Sequence, residues 1–148
     1  MYEDPSILYI SIHRFDNGKF YPGQAGAATR IGEGAGKGYN IHFPFNVNQN
    51  QKPIIGDKDY IYACESVFFP IIREFNPDLM IISAGFDSAL GDPLGGIGVS
   101  PVGFAYMTWK LRNICQKTAV ILEGGYDLAA LERSSEAVVR TLLVNPKD

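Results

Sequence analysis

Leu79-Met80-Ile81-Ile82-Ser83, running on into Ala84-Gly85-Phe86-Asp87, is the stretch that decides the fold. An unbroken apolar run of this length, closed by small turn residues, reads as a strand buried on both faces. The pattern returns in Ile7-Leu8-Tyr9-Ile10-Ser11-Ile12 and in Ala119-Val120-Ile121-Leu122, with a shorter strand over Tyr39 to Phe43. Elsewhere the period lengthens. Tyr60, Cys64, Val67, Phe68, Ile71 and Phe75 recur at three- and four-residue steps, which is one face of a helix. Asp57 is its expected N-cap, and Pro70 is expected to kink it. Ser100-Pro101 opens a second helix to about Cys115, with a capping hydroxyl followed by proline at the first helical position. Asp127 caps a third helix, carrying Leu131, Val138 and Leu142.

A glycine-rich connection spans Arg14 to Gly38, and the Asn/Gln stretch from Asn46 to Gln51 is expected at the surface. Strands alternating with helices imply an α/β fold: a parallel sheet with helices on its faces and right-handed crossovers. Ligands in such sheets collect beyond the carboxyl ends of the strands. Two loops lie there, Ala84 to Gly96 and Glu123-Gly124-Gly125-Tyr126-Asp127. Asp87 and Tyr126 are therefore expected on one edge, as a metal ligand and a donor to a reacting oxygen. Spacing alone favours the blander roles, with Asp87 capping a turn and Tyr126 packing under a helix.

The chain has 148 residues, with 13 Lys+Arg against 16 Asp+Glu and a net charge of −3. That is room for one domain or part of a larger one. With 46% hydrophobic and 20% charged residues, the composition excludes a disordered chain. No run reaches the roughly 18 apolar residues of a membrane span. Slight acidity speaks against direct nucleic-acid binding. Met1-Tyr2-Glu3-Asp4-Pro5 offers no apolar signal region, so an intracellular protein, nuclear or cytoplasmic, is expected. Cys64 and Cys115 lack metal-type spacing and read as apolar fillers on helices.

Gly32-Glu33-Gly34-Ala35-Gly36-Lys37-Gly38 fails the phosphate-loop patterns and precedes a strand, so it reads as a flexible surface turn. His13 lies just past a strand end and His42 inside one, where a hydrogen-bonded structural role is expected. The sequence contains no Asp-x-His, His-x-x-x-His or Cys-x-x-Cys. A catalytic zinc needs three protein ligands, and one convincing candidate is offered.

Four ordered motifs resemble the zinc-dependent histone deacetylases, closest to their class II branch. They are Ser11-Ile12-His13-Arg14-Phe15-Asp16, Gly18-Lys19-Phe20-Tyr21-Pro22, Ser83 to Asp87 with Gly91-Asp92-Pro93-Leu94-Gly95-Gly96, and Glu123-Gly124-Gly125-Tyr126. The resemblance covers about Ile7 to Leu143, the C-terminal portion of that catalytic domain. It implies a doubly wound parallel α/β sheet of the arginase/deacetylase type, incomplete on its N-terminal side. It further implies hydrolysis of acetyl-lysine in histones or other proteins. Asp87 is then one of three zinc ligands, and Tyr126 the phenol facing the acetyl carbonyl. Phe20, Tyr21, Leu94, Gly124 and Gly125 are substrate-binding positions, and Ser11 and Ile12 hold a structural K⁺ or Na⁺. The family's Asp-x-His segment and histidine pair have no counterpart here, so the isolated chain is expected to be inactive. The alternative is a non-catalytic interaction module, with the exposed edge of the Ile7–Ile12 strand inviting self-association.

Overall fold

The computed structural model describes residues 2–47 and 55–144. The chain divides into two compact units, Met1–Asn50 and Gln51–Asp148. The expected polar loop from Asn46 to Gln51 lies outside the described residues from position 48 onward.

In the first unit, β1 (Tyr9–Arg14) pairs in parallel with β2 (Asn40–Phe45), Tyr9 opposite Asn40 and Arg14 opposite Phe45. Pairing extends through the polar His13 and Arg14 because the ladder is made by the backbone, whatever the side chain. β1 is half-buried rather than buried on both faces. The long connection between the strands is organised by three 3₁₀ turns, Asp16–Gly18, Gly23–Gly26 and Gly34–Gly36. The Asp16 carboxylate accepts from Arg14 Nε at 2.6 Å and from the Val47 N–H at 2.7 Å, tying the end of β1 to the end of β2. The glycine run is not the loose turn its composition suggests. Gly36 is buried, and the Glu33 N–H donates to the Tyr2 carbonyl at 3.1 Å.

His42 stands on β2 beside Tyr9 and edge-on to His13, with ring centroids 5.4 and 5.7 Å away. The expected hydrogen-bonded role is not met: its ring makes aromatic contacts, and its buried Nδ1 finds no partner among the described residues. Burial holds its pKa below the usual 6.5, helped by the His13 and Arg30 charges. The His13 pKa is lowered too, again mainly by burial. Below about pH 6.5 the folded state therefore binds fewer protons than the unfolded chain, so stability is complete above that pH and falls as pH drops.

The second unit opens with α1 (Asp57–Ala63), which passes through a π-helical turn (Cys64–Phe68) into α2 (Phe69–Phe75). Pro70 has no N–H for a ladder and its ring crowds the carbonyl four residues back. The chain meets this with the wider turn just ahead, where the Phe69 N–H reaches back to the Cys64 carbonyl. The N-cap is Gly56, not Asp57; the Gly56 N–H donates to Asp59 Oδ2 at 2.9 Å. Asp57 instead accepts from the Ser100 N–H at 2.7 Å and the Ser100 hydroxyl at 2.6 Å. That hydroxyl also accepts from the Gly103 N–H at 3.1 Å, so Ser100 caps α3 (Pro101–Ile114) as expected.

β3 (Met80–Ala84) and β4 (Thr118–Leu122) pair in parallel, Met80 opposite Thr118 and Ala84 opposite Leu122. Asp127 caps α4 (Leu128–Leu143) by accepting from the Ala130 N–H at 2.7 Å, and α4 packs on α3. Phe69, Val99 and Ser134 are fully enclosed, with Tyr60, Phe68, Phe86 and Ile97 around them. Cys64 and Cys115 are buried free thiols, and burial pushes Cys64 up to about 12. Burial of both strand faces is not met, for Ile81 is 62% and Leu122 59% exposed. An apolar run marks the residue types that suit coverage; here only the Met80, Ile82 and Ala84 side of β3 is partly covered. Among the described residues no helix is long and apolar enough to cross a membrane.

His42→Phe should hold the fold while removing the orphaned nitrogen. Its urea midpoint should fall less between pH 8 and pH 5 than that of the unsubstituted protein, and an equal fall in both would refute the assignment.

Candidate functional site

The parallel register of β3 and β4 brings two loops to one edge, and hydrogen bonds continue past the strand ends. Glu123 N–H donates to the Ala84 carbonyl at 3.1 Å, and Phe86 N–H to the Gly124 carbonyl at 2.7 Å. Phe86 turns into the core at 3% exposure, which leaves its neighbour Asp87 half-buried at the edge. The geometry at Gly124 shows what faces what. A β-carbon there would lie 3.5 Å from the Tyr126 hydroxyl and 3.6 Å from Asp87 Cγ. The carboxylate and the phenol therefore flank the same small space beside Gly124, on one side of the strand ends. Gly125, at φ +141°, supplies the turn between them and packs against Phe86.

Burial raises the Asp87 pKa above its usual 3.8, and the nearby Asp92 charge adds to the rise. A carboxylate whose charge is disfavoured by its surroundings is suited to binding a cation. The floor of the site is tightly built. Tyr60, 3% exposed, hydrogen-bonds Ser88, and burial pushes its phenol well above the usual range. The Ser88 carbonyl accepts from the Val99 N–H at 3.0 Å. A β-carbon on Gly95 would fall 1.8 Å from the Asp87 carbonyl oxygen, so this approach admits only hydrogen.

Leu94, 51% exposed, and Tyr126, 60% exposed, belong to this unit and are linked through Asp92. Asp92 Oδ1 accepts from the Leu94 and Gly95 N–H groups at 2.8 and 3.1 Å, and Oδ2 accepts from the Tyr126 N–H at 2.7 Å. Sequence reasoning passed over Asp92. Its available signal was an acidic residue two and three positions ahead of a tight turn, the pattern of a side chain that closes its own loop.

The remaining predicted positions lie in the first unit. Phe20 is stacked under the Arg14 guanidinium, 4.3 Å from ring centroid to cation, and Tyr21 is 87% exposed. His13 lies within a short hydrogen-bonded relay, its Nε2 2.9 Å from the Gly26 carbonyl and its Nδ1 2.8 Å from Ser11 Oγ. A carbonyl only accepts, so Nε2 carries the proton and the Ser11 hydroxyl donates to Nδ1. Ile12 sits opposite Phe43 in the ladder.

Among the described residues no group of three His, Cys, Asp or Glu side chains could hold a metal. Asp87 fits one place in a zinc shell and the chain's described residues do not fill the others.

Parallel ladders, crossover helices and a carboxylate and phenol side by side beyond the strand ends define an α/β protein. The sequence matches the family profile described as the histone deacetylase domain over residues 1–142. It is 46% identical to histone deacetylase HDA1 of Candida albicans, across 99% of this chain and 17% of that protein. It is 47% identical to histone deacetylase 7 of Homo sapiens, across 99% of this chain and 15% of that one. The structure of the histone deacetylase Clr3 superposes with a TM-score of 0.90 at 43% identity, covering 96% of this chain and 23% of Clr3. The crystal structure of the HDA15 HD domain superposes with a TM-score of 0.88 at 47% identity, covering 95% of this chain and 39% of that one. The chain belongs to the histone deacetylase family, with a class II-type likeness and the deacetylase fold in incomplete form. It spans about a sixth of the length of those two full-length relatives.

Gly95→Ala should cost about 1–3 kcal/mol, the usual penalty of overpacking. Gly124→Ala meets only ordinary contacts and should leave stability nearly unchanged. Urea denaturation of the two variants side by side checks the contrast.

Proposed function

We propose that this chain is part of a zinc-dependent deacetylase that hydrolyses the acetyl amide of acetyl-lysine in histones or other proteins. The observation that carries the reading is the space beside Gly124, bounded by the Asp87 carboxyl and the Tyr126 hydroxyl. In this reading Asp87 is one zinc ligand, and the remaining ligands and the general base come from outside the described residues. Bound zinc supplies Lewis-acid polarisation of the amide carbonyl. Tyr126 donates its O–H to the carbonyl oxygen as negative charge develops there, a fixed donor that needs no reorganisation. Leu94 lies on the path of the lysine methylenes, whose charge the acetyl group has removed, and within the first unit Phe20 and Tyr21 are substrate-binding positions. The Gly124 and Gly125 backbone, free of side chains, lets the amide approach. Ser11 and the Ile12 carbonyl hold a K⁺ or Na⁺. The protein works in the nucleus or cytoplasm, and a second copy is the partner suited to the remaining edge of β1.

A second reading, an interaction module without activity, is favoured by the absence of a three-ligand cluster among the described residues. Zinc titration by calorimetry on this chain separates the two roles. Stoichiometric tight binding would contradict the view that further ligands are required.

Tyr126→Phe in the full-length protein should lower kcat on an acetyl-lysine peptide by about 10²–10³, the usual cost of losing one oxyanion donor. Gly124→Ala should also reduce turnover, by filling the space between the two groups, while melting like the parent. Wild-type turnover in Tyr126→Phe would refute the role given to the phenol.

A further inference from the structure

We propose that Asp92 is a positioning residue that fixes the Tyr126 phenol and the Leu94 wall through one carboxylate. The inference rests on the reading of Tyr126 as the donor to the reacting carbonyl. Asp92 is 8% exposed, and burying a carboxylate is costly unless it is well bonded. Its partners are three backbone N–H groups from two loops 34 positions apart in the chain. Bonds from N–H groups to an ionised acceptor are the strong kind.

The two oxygens have separate tasks. Oδ1 closes the Pro93-Leu94-Gly95 turn upon itself. Oδ2 reaches across to the Tyr126 N–H at 2.7 Å. Tyr126 needs such a hold, because the residue before it is the positive-φ Gly125 and its own side chain is 60% exposed. On its other side α4 begins, with the Leu131 N–H donating to the Asp127 carbonyl at 2.9 Å. The Tyr126 peptide is thus clamped between a helix start and the Asp92 carboxylate. With that clamp removed, glycine next door becomes a swivel and the phenol wanders. A displacement of about 1 Å at a reacting centre costs on the order of 10²-fold in rate.

Asp92→Asn and Asp92→Ala separate the tasks in the full-length protein. The asparagine oxygen keeps the Leu94 turn, while its amide nitrogen cannot accept from Tyr126. Hydrogen exchange at the Tyr126 amide should rise at least about tenfold in Asp92→Asn, with exchange over Thr118–Leu122 unchanged as the control for folding. The kcat on an acetyl-lysine peptide should fall about 10- to 100-fold with KM within about twofold. In a Tyr126→Phe background the same change should cost little more, because the clamp acts through the phenol. Asp92→Ala should raise KM as well, by releasing Leu94. Unchanged Tyr126 exchange in Asp92→Asn, or an undiminished further loss in the Tyr126→Phe background, would overturn the proposal. Wild-type turnover by Tyr126→Phe alone, with the Tyr126 amide still loosened by Asp92→Asn, would instead refute the deacetylase role of the phenol and leave the clamp standing.

Discussion

Parallel pairing of Met80–Ala84 with Thr118–Leu122 is the constraint from which the site follows. Two strands running the same way must end on the same edge, so the residues that come next are neighbours although some forty positions separate them in sequence. The bonds from Phe86 to Gly124 and from Glu123 to Ala84 carry this alignment one step beyond the sheet. Asp87 and Tyr126 inherit their proximity from it. An antiparallel pair would have sent the two loops to opposite ends.

Crowding does the rest. Gly95 lets the Asp87 carbonyl come close, and Tyr60 braces Ser88 from below. Both contacts fall on the backbone or the neighbour of Asp87, at the start of its loop. The first unit uses a comparable economy of parts, with Asp16 joining Arg14 to Val47 while Arg14 covers Phe20. In each unit a carboxylate joins a donor close in sequence to one backbone N–H far along the chain, Val47 for Asp16 and Tyr126 for Asp92, and so defines a loop without a regular element.

Much of this is legible in the amino-acid sequence. The apolar runs locate the four strands of the described residues to within two positions, and Ser100 and Asp127 announce their helices by the hydrogen bonds such residues make. The pairing of Asp87 with Tyr126 on one edge followed from strand direction. What stayed hidden depends on tertiary neighbours. Asp57 looks like a cap because aspartate before an apolar period usually is one, yet Ser100, far along the chain, claims its carboxylate. Exposure of Ile81 and Leu122 could not be read from apolarity, which records suitability for burial and not the presence of a cover. Asp92 escaped because its significance lies in a bond to a loop 34 residues away.

The broadened turn at Cys64–Phe68 carries a consequence for the shape of the core. Tyr60, Cys64, Phe68 and Ile72 are all buried at a strict spacing of four. Four residues overshoot one 3.6-residue revolution, so along a uniform spiral this row would creep steadily around the rod. The looser coil takes up the overshoot, like a vernier, and also turns Phe69 inward beside Phe68. A sequence that resists regular winding at Pro70 thereby acquires a straight seam, one that two shorter rods joined by a bend could not present.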